Sequence, residues 1–115
     1  MAPDQLREAI TELRRAVYLS PYEAAAHLLM GRIHLRVGRP ENAIDALKIS
    51  IWSEDSAAAH IALAEAYLAM RNSDAARTEL QRALTLDPAS AEAKRLLDTI
   101  KPPGLDLPPA VDPRR

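Results

Sequence analysis

Cysteine and phenylalanine are both absent from the 115 residues, and glycine occurs three times. Without cysteine there is no disulfide staple, no thiolate zinc site and no cysteine nucleophile. The compartment stays open, because such a fold tolerates oxidising and reducing surroundings alike. Three glycines are too few for a phosphate-cradling loop. Aromatic residues make up 3% of the chain, which argues against a sheet core, since strands draw on aromatic and β-branched side chains. A surplus of one charge is missing too: 15 basic residues against 16 acidic ones leave a net charge of -1. With no field of one sign, neither nucleic acid nor an anionic membrane surface is an expected partner. No run approaches the roughly 18 apolar residues of a membrane span. The start, MAPDQLREAI, lacks the basic and apolar blocks of a secretion signal. A cytoplasmic location is the default expectation.

What the chain does have is alanine and leucine, within a hydrophobic fraction of 48%. That is the composition of packed helices, at a length that suits one domain with one continuous core. The segment AAAHLLMGRIHLRV at 24–37 returns at 57–70 as AAAHIALAEAYLAM, with His27 and His60 33 residues apart. A segment that recurs with its apolar and polar places kept is a unit built to stack on copies of itself.

Helical periodicity and breaks divide the rest. Leu6, Ala9, Ile10, Leu13, Ala16 and Val17 recur three and four apart, which predicts a helix from Asp4 to about Leu19. Ser20-Pro21 ends it, and Ser20 with Glu23 fits a capping box for the next helix, about Glu23 to Val37. Gly38 supplies a left-handed closing residue and Pro40 a first helical position. The third helix runs to about Trp52, with Ala43, Ile44, Leu47 and Ile51 inward. Ser56, Asn72 and Ser90 are the expected caps of helices at Ala57 to Met70, Ser73 to Leu86 and Ala91 to Ile100. On the fifth helix Ala76, Leu80, Ala83 and Leu84 face inward. Connections this short make neighbours antiparallel. The segment 102–115 has proline pairs and no helical period, and is expected to be a mobile tail.

These breaks make the unit a helix pair, and the chain resembles the tetratricopeptide repeat family, whose pattern is W-x2-L-G-x2-Y, then A-x3-F, then P over about 34 residues. The first full copy reads His27, Met30, Gly31, His34, Ala43, Leu47 and Ser50, with Asp55 in the place of proline. The second reads His60, Leu63, Ala64, Tyr67, Ala76, Leu80, Ala83 and Pro88. Ala9, Leu13, Ala16 and Pro21 fit the back half of an earlier copy, and Lys94, Leu97 and Asp98 the start of a later one. The resemblance implies an all-α, right-handed superhelical stack of antiparallel helix pairs, about six helices in all. The half repeat is 4–21, the repeats 22–56 and 57–90, and a polar-faced capping helix 91–101. A start on a back-half helix suggests a piece of a longer array. The first copy is one residue short near Ser56, and histidine stands where the family prefers tryptophan.

Small residues at Gly31, Ala43, Ala64, Ala76 and Ala83 mark close helix crossings, where added volume forces backbones apart. The three histidines could suggest a metal. However, His27 and His34 lie about 10.5 Å apart along a helix axis, too far to share a zinc ion that needs nitrogens at about 2.0–2.1 Å. They are read as fillers of aromatic packing slots, with protonation in mild acid loosening the stack. Ser50 and Ser56 have no histidine at a suggestive spacing, and no carboxylate pair sits in a recognisable pocket. No catalytic, cofactor or metal residues are assigned, and an enzyme is not expected.

A second stripe lies about 100° round the axis from the first: Leu28, Arg32, Leu35 and Arg36 on the second helix, Ile61, Glu65, Leu68 and Ala69 on the fourth, and Arg95 and Thr99 on the sixth. The resemblance implies that this face lines a concave groove for an extended peptide or a partner's helix. Leu28, Arg32, Leu35, Arg36, Ile61, Glu65, Leu68 and Arg95 are the candidate peptide-binding residues, with arginine suited to a carboxylate by its planar fork. In the other reading the leucines pack on the adjoining repeat and the arginines are solvated. Leu29 and Ala62 replace the asparagines that the family's carboxylate clamp resembles, so a chaperone tail is not the expected ligand. Leu105-Asp106-Leu107 in the tail could fold into the groove. Trp52 either anchors an interface or covers the turn at Glu54 to Ser56, the second being preferred. The expected function is a non-catalytic scaffold for an unidentified protein or peptide, with weak homodimerisation through uncovered stack ends as the alternative.

Overall fold

The computed structural model describes residues 2–20 and 22–100. Its regular elements are helices: α1 (Pro3–Leu19), α2 (Ala24–Arg36), α3 (Pro40–Ser53), α4 (Ala57–Ala69), α5 (Ser73–Leu86) and α6 (Ala91–Thr99). The expected tail at 102–115 lies outside the described residues, as do Pro21 and Lys101.

Local chemistry explains most of the boundaries. Proline opens α1 and α3 at the first helical turn, where its missing N–H has no intrahelical partner to lose. The Ser56 hydroxyl, the Asn72 amide oxygen and the Ser90 hydroxyl each accept a backbone N–H three residues on, at 3.2 Å. Gly38 has φ +78° and closes α2; one repeat later Arg71 takes φ 60° in the same role. Left-handed backbone is costly for a residue with a Cβ, so the turn after α4 exists in spite of its sequence. One expectation is corrected. The Ser20–Glu23 capping box does not form: Glu23 is itself the N-cap of α2 and no side chain caps that helix. The Ser20 N–H instead donates to the Ala16 carbonyl and ends α1.

Helix α2 packs most extensively on α3, and α4 on α5, which makes two helix pairs. The α3–α4 contact joins the pairs, while α1 and α6 lie at either end against α2 and α5. The small residues sit at the crossings. Ala43, Ala64, Ala76 and Ala83 are fully buried, as are Leu47 and Leu80. A Cβ added to Gly31 would come within 2.5 Å of the Leu47 side chain. The Ser50 hydroxyl donates to the Ala24 carbonyl at 2.9 Å, tying α3 to the start of α2, and the Ser53 hydroxyl donates to the Tyr22 carbonyl nearby. His27, His34 and His60 are each 4% exposed and occupy the interior.

At the far end, Ala93 and Ile100 close the core cluster built by Ile61, Ala64, Ala76, Leu80 and Ala83. Lys94 and Asp98 stay exposed, so α6 turns a polar side outward. The α3–α4 connection has one residue fewer than the α5–α6 connection. Trp52 lies just before that turn, at the end of α3. It is 74% exposed and its ring lies 5.5 Å from the Tyr22 ring at 53°, which is the tilted contact that aromatic quadrupoles favour.

Candidate functional site

The first helices of successive units, α2, α4 and α6, carry the stripe singled out above. Side chains four residues apart lie on one helix face, so Leu28, Arg32 and Leu35 line up along α2 as Ile61, Glu65 and Leu68 do along α4. The structure divides these residues by depth. Ile61 is 6% exposed and belongs to the core shared with α5 and α6. Leu28 and Leu35 are half-buried against the core cluster that joins Ala43 and Leu47 to Ala62, Leu63 and Ala66 of the next pair, and Leu68 against the cluster beyond it. Arg32, Arg36, Glu65 and Arg95 are exposed. Arg36 lines a separate cleft of about 320 Å³ with Arg7 and Arg39, floored by Leu6, Ile10 and Val37.

The charged residues form one electrostatic row. Burial pushes the Glu65 carboxyl above its ordinary range, and the Glu92 carboxylate pushes it further, while the Arg32 and Arg95 guanidiniums pull it back. No ion pair among the described residues joins Glu65, Arg32 or Arg95. Glu92 is absent from the sequence expectation. Its position three residues before Arg95 places it on the same face of α6, a signal that spacing alone could have given.

A second cluster lies on the other side of α4. His60 Nδ1 is 2.7 Å from Glu79 Oε1 and its Nε2 is 2.6 Å from Asp55 Oδ1. Arg82 Nη1 donates to the other Glu79 oxygen at 2.9 Å. A cleft of about 410 Å³ opens beside it, lined by Ile51, Asp55, His60, Arg82, Thr85 and Leu86. Both imidazole nitrogens are engaged, so neither is placed to take a proton from a substrate. The Thr85 hydroxyl donates to the Gln81 carbonyl. The two carboxylates lie on opposite edges of the ring and do not converge on a point. The arrangement fastens the α3–α4 turn and α5 to α4.

His34 is buried beside two arginines of the neighbouring segments. Burial is the main cause holding its imidazole below the ordinary value of 6.5, and the Arg14 and Arg39 guanidiniums act in the same direction. The unfolded chain therefore takes up this proton at a higher pH than the folded one does. Between the two values the unfolded state binds more protons, so stability falls as pH drops through 6.5 toward the folded value. Chemical denaturation from pH 7.5 to 5 should show that decline. Replacing His34 by tyrosine, the residue at the matching place 67, should flatten it; an equal decline in His34→Tyr would exclude His34 as the source.

Two Tetratricopeptide repeat family models match the chain, one over residues 4–60 and the other over 49–100. The chain belongs to this family. Its helix pairs also match solved structures of tetratricopeptide repeat (TPR) proteins. TTC0263, a thermophilic TPR protein in Thermus thermophilus, is 28% identical with a TM-score of 0.76, over 83% of this chain and 49% of that one. MamA is 27% identical with a TM-score of 0.79, over 83% of this chain and 56% of that one. The chain thus spans about half the length of either protein. No curated protein matches it. The fold is an all-α TPR-like solenoid, and TPR domains in general act as protein-protein interaction scaffolds. No helix among the described residues is long and apolar enough to cross a membrane.

Proposed function

We propose that this chain is a non-catalytic scaffold that holds a peptide or helix of a partner protein along the face of α2, α4 and α6. The observation that carries this reading is Glu65. Partial burial and then the Glu92 carboxylate raise its carboxyl above the ordinary value, the Arg32 and Arg95 guanidiniums act against them, and no ion pair among the described residues joins it. Charges kept at a cost to the folded chain are characteristic of sites that meet a ligand. Arg32 and Arg95 would take carboxylates of the partner, and Glu65 a lysine or arginine between them. Leu28, Leu35 and Leu68, half-buried in their own packing, offer apolar edges, while Ile61 supplies the floor beneath. Arg36 would extend the basic side toward α1.

Screening a peptide library against the immobilised protein, then measuring the binders by calorimetry, tests this. Loss of a charge-assisted hydrogen bond is worth about 1.5–3 kcal/mol, so Arg32→Ala and Arg95→Ala should each weaken the binders by about ten to a hundredfold. Lys48→Ala, on the exposed side of α3, should change nothing. Binders that ignore both arginines would place the binding surface elsewhere.

A further inference from the structure

Trp52 is the only tryptophan of the chain. It lies 74% exposed at the end of α3, and Tyr22, 67% exposed, meets it with 5.5 Å between ring centroids. The stack calls for neither ring. One repeat on, Thr85 and Asp55 stand at the matching places and are exposed as well, with α2 packed ahead of them, so the openness belongs to this edge of the stack. The aromatic pair is nonetheless held in place. The Ser53 hydroxyl donates to the Tyr22 carbonyl and the Ser50 hydroxyl to that of Ala24, which ties the two segments carrying the rings together. Two large rings fixed in water add little to the stack and are the kind of anchor an interface uses.

A cleft of about 250 Å³ adjoins the pair, with Glu23 and Leu28 on one side and Glu54, Ser56 and Ala58 on the other. Tyr22 precedes Glu23 in the chain, and Trp52 lies two residues before Glu54. Both carboxylates are exposed and neither closes an ion pair among the described residues. Glu23 is the N-cap residue of α2, yet its side chain caps nothing. Positions 18–28 and 49–59 hold Glu23, Glu54 and Asp55 and no lysine or arginine, in a chain whose charges otherwise nearly balance. We infer that this edge binds a basic segment of a partner protein, with one cation over the Trp52 ring and another between Glu23 and Glu54. The negative face of an indole attracts a cation, and a carboxylate matches the fork of an arginine. An apolar helix laid here would strip water from two carboxylates and return nothing to them. A second copy is a poor occupant, because a self-complementary contact sets each carboxylate against its own kind. The site shares Leu28 with the α2–α4–α6 face and rests on none of that face's charges.

The single tryptophan makes the site its own reporter. Acetyl-Arg-Arg-Arg-amide titrated into the whole chain should change the Trp52 emission saturably, and acetyl-Glu-Glu-Glu-amide should not. Trp52→Thr installs the residue found at position 85 and should leave the melting curve in place. By calorimetry it should bind the arginine peptide about five to tenfold more weakly, and Glu23→Gln with Glu54→Gln about tenfold more weakly. Arg32 and Arg95 repel three arginines from Glu65, so Glu65→Gln should leave the emission titration unchanged. Equal affinity in Trp52→Thr, a response to the glutamate peptide, or no saturation at millimolar arginine peptide would each overturn the inference. So would loss confined to Glu65→Gln, which would return the cation to the α2–α4–α6 face. Light scattering completes the comparison: a dimer that Trp52→Thr dissolves would make a second copy the occupant and refute the basic segment. The groove is tested through Arg32 and Arg95 and this edge through Trp52, Glu23 and Glu54, so either can fail without the other.

Discussion

Gly31→Leu should lower the melting temperature by roughly 5–15 °C. A Cβ at position 31 would already stand 2.5 Å from Leu47 Cγ and Cδ2, and Leu47 is fully buried, so it has no open direction in which to rotate. Inserted methylenes in a closed core cost about 1–3 kcal/mol, occasionally more. Each kcal/mol moves the midpoint by about 4–8 °C in a domain of this size. The helix propensity gained by replacing glycine, about 1 kcal/mol, offsets only part of that. The geometry also specifies the remedy. Leu47→Ala alone should cost about 2–5 kcal/mol as a cavity, yet in the Gly31→Leu background it vacates the space the new side chain needs. The double variant should therefore be more stable than the sum of the single losses implies, by at least about 1 kcal/mol in a double-mutant cycle. Additive losses would mean that α2 and α3 do not cross at this pair.

The same crossing indicates why so much of the architecture is legible in the sequence. A repeat frame is read from positions that recur, and those that recur are the ones that touch. Gly31 and Ala64, Leu47 and Leu80, and the capping residues Ser56, Asn72 and Ser90 all follow from local pattern, and the span of α5 follows to the residue. What the sequence hides depends on partners far along the chain. Glu79 sits among Thr78, Gln81 and Arg82 and looks like a solvent residue, yet it is 6% exposed because His60, 19 residues away, meets it. Ile61 shares its stripe with exposed Glu65, but α4 is apolar on nearly every side and is covered by α5 of its own pair and by α3 and α2 of the pair before it. A face drawn on its wheel therefore does not separate floor from rim. Trp52 meets Tyr22, 30 positions back, in a tilted contact that no local pattern foretells. Glu65 is intermediate: its place on the stripe is legible, whereas the resistance to its ionisation comes from Glu92 and the surrounding helices.

Glu79→Leu should cost about 3–5 kcal/mol, more than any charge reversal on the outer surface. Its side chain is 8% exposed and that of His60 5%, whereas Asp55 and Arg82 are more than half exposed. Removing one partner of a buried hydrogen bond to a carboxylate leaves the other desolvated without compensation, which is the expensive case. Glu79→Gln should cost less, about 1 kcal/mol, because an amide oxygen still accepts from Nδ1–H of His60. Replacing the pair together behaves differently. Buried hydrogen-bonded pairs exchanged for apolar residues of similar volume are often neutral or stabilising, so His60→Leu with Glu79→Met should recover most of what either change loses alone. Should the double variant reach the stability of the natural chain, the cluster is not there to add stability. Its role would then be registry, since Asp55, His60 and Glu79 tie the α3–α4 turn to α4 and α5 at a single point. That role has its own signature: in the double variant the amides of residues 54–56 should exchange with solvent faster at unchanged global stability. Unchanged exchange there would leave the cluster without a registry function, and a neutral Glu79→Leu would show that His60 and Glu79 do not meet in solution.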